Sequence, residues 1–323
     1  MKDLLLDSRS NAAPNFMSKE IDEKFESLTD AKKALRIFKQ SEIFGGSAIQ
    51  EIKISIFKSY KDERSFSLVA LYSAFFESGE HKEMVGLANS DGVKKYAWQM
   101  TKLLYEGFEG GSSLAVPRPI GYLNAYDLFL REHIPGQTMA EIIKREKGLK
   151  KRYADQIVEW LGALQKVSTV GNIKKQIDFN KLENNLAILK QRGVDVSAIE
   201  QKYIATKDKI EVWSKKHEPV FVHGDFNPFN MIIANGMLTL IDFEDAHLGG
   251  PLIDVADFIS HLTTLPDLEL NPQQRQSSCD IFIKSYEQKS GRISAQRQEK
   301  MDTYLTYFNL LVQTHTLVWG NSV

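Results

Sequence analysis

One cysteine, Cys279, stands in a chain of 323 residues, which excludes an internal disulfide framework and suits a reducing cytosol. Net charge is nearly absent as well. Lys and Arg number 41 against 42 Asp and Glu, a formal charge of −1, so no overall field draws the chain to nucleic acid or to an anionic membrane. No apolar run approaches ~18 residues and the N-terminus carries no apolar signal core, so neither a transmembrane helix nor a secretory leader is expected. Internal repeats and low-complexity tracts are missing too, and a cytoplasmic globular protein is the expectation that remains.

Apolar residues make up 42% of the chain and charged residues 26%, an ordinary globular balance, and the length suffices for two cores. Residues 1–18 show little periodicity and read as a flexible arm. A helix is expected over 29–44, with Ala31, Leu35 and Phe38 on one face and Gly45-Gly46 as its stop. From 49 to 89 the pattern is that of three strands, opened by alternating Ile52, Ile54 and Ile56. A helix over 93–105, a stiff Val116-Pro117-Arg118-Pro119 step and a strand over 128–134 follow. Pro135-Gly136 breaks that strand and marks the domain boundary, giving units of 1–134 and 135–323. Beyond it Thr138 and Glu141 have capping-box spacing, and the rest is mainly helical. The fold class is therefore α+β: a small N-terminal antiparallel sheet lobe and a larger, mainly helical C-terminal lobe, whose intervening cleft would be a natural ligand site.

One short β region interrupts the helices, and the chemistry concentrates there. An apolar run ending Phe221-Val222 leads into His223-Gly224-Asp225-Phe226-Asn227-Pro228-Phe229-Asn230. A second apolar run follows, then the turn Asn235-Gly236, a strong hairpin signal, and then Ile241-Asp242-Phe243-Glu244-Asp245. The hairpin brings Asp242 back beside Asn230. Asp225 could take a proton from a hydroxyl, while an Asn/Asp oxygen pair suits a Mg2+ ion that completes its shell on phosphate and water. Singly, each of these residues is an ordinary turn former at a strand end; the combination points to function.

The segments HGDFNPFNMII and LIDFEDAHLGGPLIDVADF resemble the catalytic core of the aminoglycoside phosphotransferase and choline kinase superfamily, whose members share a protein-kinase-like, bilobal fold. The resemblance implies a transferase that moves the γ-phosphate of ATP or GTP to a hydroxyl of a small molecule. It implies Asp225 as catalytic base, His223 as the residue that organises the catalytic loop, Asn230 and Asp242 as Mg2+ ligands, and Asp254 as a brace on the loop. It also implies that residues 1–134 form the nucleotide-binding lobe, with the backbone of Arg131, Glu132 and His133 reading the adenine edge, and that 135–323 carry catalysis and the acceptor.

Two departures stand out. The strand lysine that grips the α- and β-phosphates falls on Leu87, with Lys82, Lys94 and Lys95 nearby, and residues 54–66 contain no glycine where a glycine-rich loop is expected. Lys58, Lys61 and Arg64 are the cations of that turn. Leu87 supports an alternative reading, a kinase-like binding module with weakened catalysis. A metal-dependent hydrolase fits less well, because the segment lacks a His-rich ligand set. His133, His247 and His261 read as ordinary polar residues, Cys279 as core, and Tyr304, Tyr307, Phe308 and Trp319 as core packing. Residues 150–215 and 260–323 show no dense acidic patch, which disfavours a polycationic acceptor and leaves a sugar, amino alcohol or other small hydroxyl compound. The partners expected are thus a nucleotide and such an acceptor, with no nucleic acid and no membrane.

Overall fold

The structure, a computed structural model, describes residues 14–45, 48–108, 114–168, 173–215 and 218–320. It divides into two compact units, one formed by Met1–Trp98 with Arg118–His133, the other by Gln99–Pro117 with Ile134–Val323.

The first unit opens with α1 (Pro14–Thr29), which begins inside the stretch read as an arm; residues 1–13 of that stretch lie outside the described residues. Asp30 caps α2 (Ala31–Gln40) by accepting from the Lys33 N–H at 2.9 Å, as N-cap carboxylates do. The helix ends at Gln40 and not near 44: the Ser41 N–H turns back to the carbonyls of Ile37 and Phe38, and a short 3-10 turn follows. Five antiparallel strands, β1 (Ile49–Lys61), β2 (Phe66–Phe76), β3 (His81–Asn89), β4 (Pro119–Leu123) and β5 (Leu128–Glu132), form one sheet in the order β1-β2-β3-β5-β4.

Strict alternation along β2 buries Phe66, Leu68, Ala70, Tyr72 and Ala74, and these pack in one core with Leu28, Ala34 and Phe38 of the helices. A Cβ on Gly86 would lie 2.4 Å from the Tyr72 ring, so only glycine leaves room for that side chain to reach the Leu28 carbonyl at 2.8 Å. The alternation expected in β1 fades along the strand: Ile52 is buried, Ile54 half-buried and Ile56 48% exposed. The other face of the sheet carries a second cluster of Val85, Leu87 and Phe129 with Ala97 of α3 (Val93–Phe108), flanked by Trp98 stacked on Tyr122.

The second unit contains α4 (Met139–Glu146), α5 (Lys151–Leu164), α6 (Asn180–Gln191), α7 (Ser197–Ser214), α8 (Ile253–Thr264), α9 (Pro272–Ser290) and α10 (Ala295–Trp319). Capping boxes open α4 at Thr138 and α9 at Asn271, the latter with Pro272 at the first helical position, where a missing N–H costs nothing. Two small antiparallel sheets join β6 (Gln137–Thr138) to β8 (Met231–Ala234) and β9 (Met237–Leu240), and β7 (Val220–Val222) to β10 (His247–Gly249). Trp160 is fully buried and donates its indole N–H to the Leu238 carbonyl at 2.9 Å, which ties α5 to β9. Phe226, Phe258 and Phe282 form a run of ring contacts at 6.1 and 4.7 Å linking the acidic loop to α8 and α9. Cys279 lies buried on α9, and burial pushes its thiol up to about 11, so it is core and inert at neutral pH. Among the described residues no helix is long and apolar enough to cross a membrane.

Candidate active site

The loop after β7 is held from outside, chiefly by α8. Asp254, in the first turn of that helix, accepts the His223 N–H at 2.8 Å and the Gly224 N–H at 3.0 Å through its two carboxylate oxygens. One turn further on, Asp257 accepts the Phe226 N–H at 2.7 Å. Burial raises the Asp254 carboxyl to about 6, against the pull of His223 and the two N–H donors. His223 is fully buried. Its Nδ1 receives the Asp225 N–H at 3.3 Å and its Nε2 donates to the Ile241 carbonyl at 3.0 Å, so one ring ties the two acidic loops together. Gly224 has φ 79°, and a Cβ there would stand 2.2 Å from the Asp245 carbonyl oxygen; any side chain would force the two loops apart.

With the loop fixed, the Asp225 side chain has a defined setting. The Asn227 amide donates to Asp225 Oδ1 at 2.9 Å, and the Asn230 amide donates to Asp225 Oδ2 at 2.8 Å and to its carbonyl at 3.0 Å. Asn227 Oδ1 in turn accepts from the N–H groups of Phe229 and Asn230. The hairpin expected from Asn235-Gly236 is present, with both residues at positive φ and Ala234 paired with Met237. It closes back so that the Ile241 N–H reaches the Asn230 carbonyl at 3.0 Å. Asp242 is the next residue, in the left-handed region at φ 64°, a conformation that costs a non-glycine residue about 1 kcal/mol and tends to collect at functional sites. An amide oxygen at Asn230 and a carboxylate at Asp242 are hard donors that fit Mg2+ and leave most of its shell to phosphate and water.

A family model described as the phosphotransferase enzyme family matches residues 105–288, more than half of the chain and all of the loop system just described. The chain belongs to the phosphotransferase enzyme family. A search of curated protein sequences finds no match. Among solved structures, the amicoumacin kinase hAmiN in complex with AMP-PNP, Ca2+ and Ami is similar with a TM-score of 0.60 at 13% identity, covering 92% of this chain and 88% of that one. A choline/ethanolamine kinase family protein from Mesorhizobium loti gives 0.57 at 13% identity, with 89% and 85% covered. Choline kinase LicA from Streptococcus pneumoniae gives 0.55 at 16%, with 89% and 92% covered. At these identities the likeness shows the fold, the kinase-like fold of choline kinases and aminoglycoside phosphotransferases.

Within this phosphotransferase-family chain, Asp225 opens onto a cleft of about 720 Å³ in the second unit, walled by α6 and the segment before it, by α8 and the two acidic loops, and by α10. Lys181 of α6 reaches in and pairs with Asp245. Burial opposes its charge, but Asp245 and then Asp225 outweigh it and hold the ammonium above the usual lysine range. The lysine side chain keeps 46% of its surface exposed, so solvent screens the pair. Burial likewise works against charge on Asp225, yet Lys181, His261 and His223 hold its carboxyl below the ordinary value. Asp245 goes the other way, raised by burial and by Asp225 despite Lys181. His261 sits 3.1 Å from Asp257, whose carboxylate, with Asp225, overcomes burial and holds the imidazolium above its usual range. His247 donates Nδ1–H to the Asp245 carbonyl at 2.8 Å and is pushed down to about 4 by burial. The sequence reading assigned no role to Lys181, Asp245 or Asp257 and took His261 as an ordinary polar residue. Asp257 had a signal, one helical turn after Asp254; Lys181 had none, since only the tertiary fold brings α6 to Asp245.

The first unit holds the other expected site residues. At 131–133 the Glu132 N–H bonds the Arg118 carbonyl at 2.9 Å, and the His133 N–H points to the Glu83 carbonyl at 3.4 Å. Arg131 is buried and donates to the Glu132 carbonyl. The β1–β2 turn closes on itself: Asp62 accepts from Tyr60, Arg64 and Ser65, which lowers its carboxyl to about 2, and Lys61 pairs with Asp22. Leu87 is 7% exposed within its apolar cluster. Ala97 of the same cluster lies one helical turn after Lys94, also only 7% exposed. In α3 the sole carboxylate is Glu106, in the last turn, so the lysine–glutamate pair that protein kinases build between their third strand and the following helix has neither half in its usual place.

Proposed function

We propose that this chain is an ATP- or GTP-dependent phosphotransferase acting on the hydroxyl of a small molecule. The observation that carries the reading is the clamp on Asp225: two side-chain amides fix its carboxylate at the mouth of a cleft, and one of them belongs to Asn230, which neighbours Asp242 across the hairpin. The acceptor O–H donates to Asp225, which orients the oxygen toward the γ-phosphorus and takes the proton as the new O–P bond forms. The bond from the γ-phosphorus to the β,γ-bridging oxygen breaks, and the nucleoside diphosphate leaves with that electron pair. A carboxyl held below its ordinary range is a weak base, which suits a loose transition state in which positioning matters more than proton abstraction. Asn230 and Asp242 would hold Mg2+, whose charge would offset that developing on the phosphoryl oxygens.

Leu87 favours a second reading, a kinase-like module in which nucleotide binding is weakened. We assign the missing cation to Lys94, which is buried one helical turn before Ala97, a member of the cluster that holds Leu87. The first unit would then bind nucleotide, with the backbone of 131–133 facing the adenine edge. The deciding experiment measures melting temperature and phosphate transfer with ATP or GTP, with and without Mg2+. Stabilisation and turnover that require Mg2+ support the transferase; a folded protein that binds neither nucleotide counts against both readings.

A further inference from the structure

The cleft beside Asp225 is larger and less uniform than a choline-sized or sugar-sized acceptor requires. Cavities in the range of roughly 300–1,000 Å³ hold drug-sized ligands, and this one measures about 720 Å³. It runs along one face of α10 from Tyr307 to Trp319; at ~1.5 Å of rise per residue that is roughly 18 Å. Its charged lining residues all lie at the Asp225 end, on the 174–181 segment, at Asp225, at Asp245 and at Asp257. They are largely satisfied there: Lys181 by Asp245, His261 by Asp257, and Asp178 by the Asn180 N–H at 2.9 Å. The far end has no charged lining residue. There Ile188 of α6 and Leu311, Val312 and Trp319 of α10 supply the apolar surface, Trp319 54% exposed, and Gln191, His315 and Thr316 supply the polar groups.

We propose, resting on the phosphotransfer reading, that the acceptor is an elongated amphipathic alcohol. Its hydroxyl end lies at Asp225 and Lys181, and an uncharged apolar body lies along Ile188, Leu311 and Trp319. Internal pairing of the charges leaves little to attract a polycation, and the apolar surface of Ile188, Leu311, Val312 and Trp319 beyond them gains from an apolar partner. A compact polyol or amino alcohol would fill the polar end and leave the rest to water.

The test uses n-alkyl β-D-glucosides from butyl to octyl, below their micelle concentrations, titrated calorimetrically into the full chain. Affinity should rise about threefold to fourfold per methylene, the equivalent of ~0.8 kcal/mol for each buried CH2. Leu311→Asp and Trp319→Ala should flatten the series, with an unchanged melting temperature showing that the fold is intact. Equal affinities along the series, no binding of the octyl compound, or a steep series that both variants leave unchanged would overturn the proposal. The titration needs no turnover. Absent nucleotide turnover with a steep series sinks the phosphotransfer reading alone, and turnover with a flat series sinks the acceptor class alone.

Discussion

Asn230 donates one side-chain amide to two oxygens of Asp225, its carboxylate at 2.8 Å and its main-chain carbonyl at 3.0 Å. In the proposed transferase that leaves the Asn230 side-chain oxygen for the metal, so one residue would set the position of both the base and the metal.

Asp225→Asn should lower kcat by about 10²- to 10⁴-fold, the usual worth of a positioned acid–base group. The KM for nucleotide should change by less than a few-fold, because the carboxylate faces the α6–α10 cleft proposed for the acceptor. Coupled measurement of nucleoside diphosphate release checks this. A kcat within tenfold of wild type would remove Asp225 from the chemistry.

Asn230→Ala and Asp242→Asn should each raise the Mg2+ concentration for half-maximal rate by about tenfold or more, since losing one of two protein oxygens weakens a site that Mg2+ occupies with few protein ligands. Asn230→Ala should also lower kcat at saturating Mg2+, because it releases one side of the Asp225 clamp. Mg2+ titration of initial rates separates the two effects, and an unchanged Mg2+ midpoint in both variants contradicts the assignment.

Lys94→Met should raise the KM for ATP by about tenfold to a hundredfold, in keeping with the loss of one charge-assisted hydrogen bond to phosphate, whereas Lys82→Met and Lys95→Met should not. Placing Leu87→Lys in the Lys94→Met background should recover part of the loss. If Leu87→Lys alone tightens ATP binding strongly while Lys94→Met changes nothing, the site is a degenerate one.

His247 gives the fold a pH dependence of known sign. Its folded value of about 4 lies below the ordinary 6.5 because burial disfavours the imidazolium. The unfolded chain therefore binds more protons between those values, and stability is full above about 6.5 and lost as pH falls toward 4. Asp254, raised to about 6, acts oppositely: its folded form holds a proton that the unfolded chain has lost, so its contribution weakens as pH rises from about 4 to 6. His247→Gln should remove the first of these trends, so the variant should lose less melting temperature than wild type between pH 6.5 and 4.5. Parallel curves for the two proteins would show that His247 does not titrate across the transition.

The loop from His223 to Asn230 and its hairpin were legible in the sequence as structure because their parts are local. His223, Asp225 and Asn230 share one turn, and Asn235-Gly236 dictates the hairpin that returns Asp242. Asp254 was legible for the same reason, at the start of the next helix. The helices of the second unit followed their caps and periodicity, whereas the first residues of α1, 14–18, were read as part of an arm and the rest of that helix carried no reading, its lysines and glutamates masking a weak apolar stripe. The cleft was not legible: Lys181 meets Asp245 across 64 positions of sequence, and Trp319 looks like any core aromatic until the wall it ends is seen. The exposed end of β1 was hidden too, because its Ile52-Ile54-Ile56 pattern continues past the point where buried neighbours stop.

Gly224 and the far wall of the cleft place opposite demands on an engineer. The loop tolerates no added atom at Gly224 without colliding with Asp245, so a library that varies it would consist almost wholly of dead clones. Ile188, Gln191, Leu311 and His315 stand on helices whose opposite faces hold the core, and they can be exchanged one at a time. If the cleft receives the acceptor as proposed, a randomised set at those positions, screened against a panel of alcohols, would change which alcohol is accepted while leaving the His223–Asp242 loops untouched.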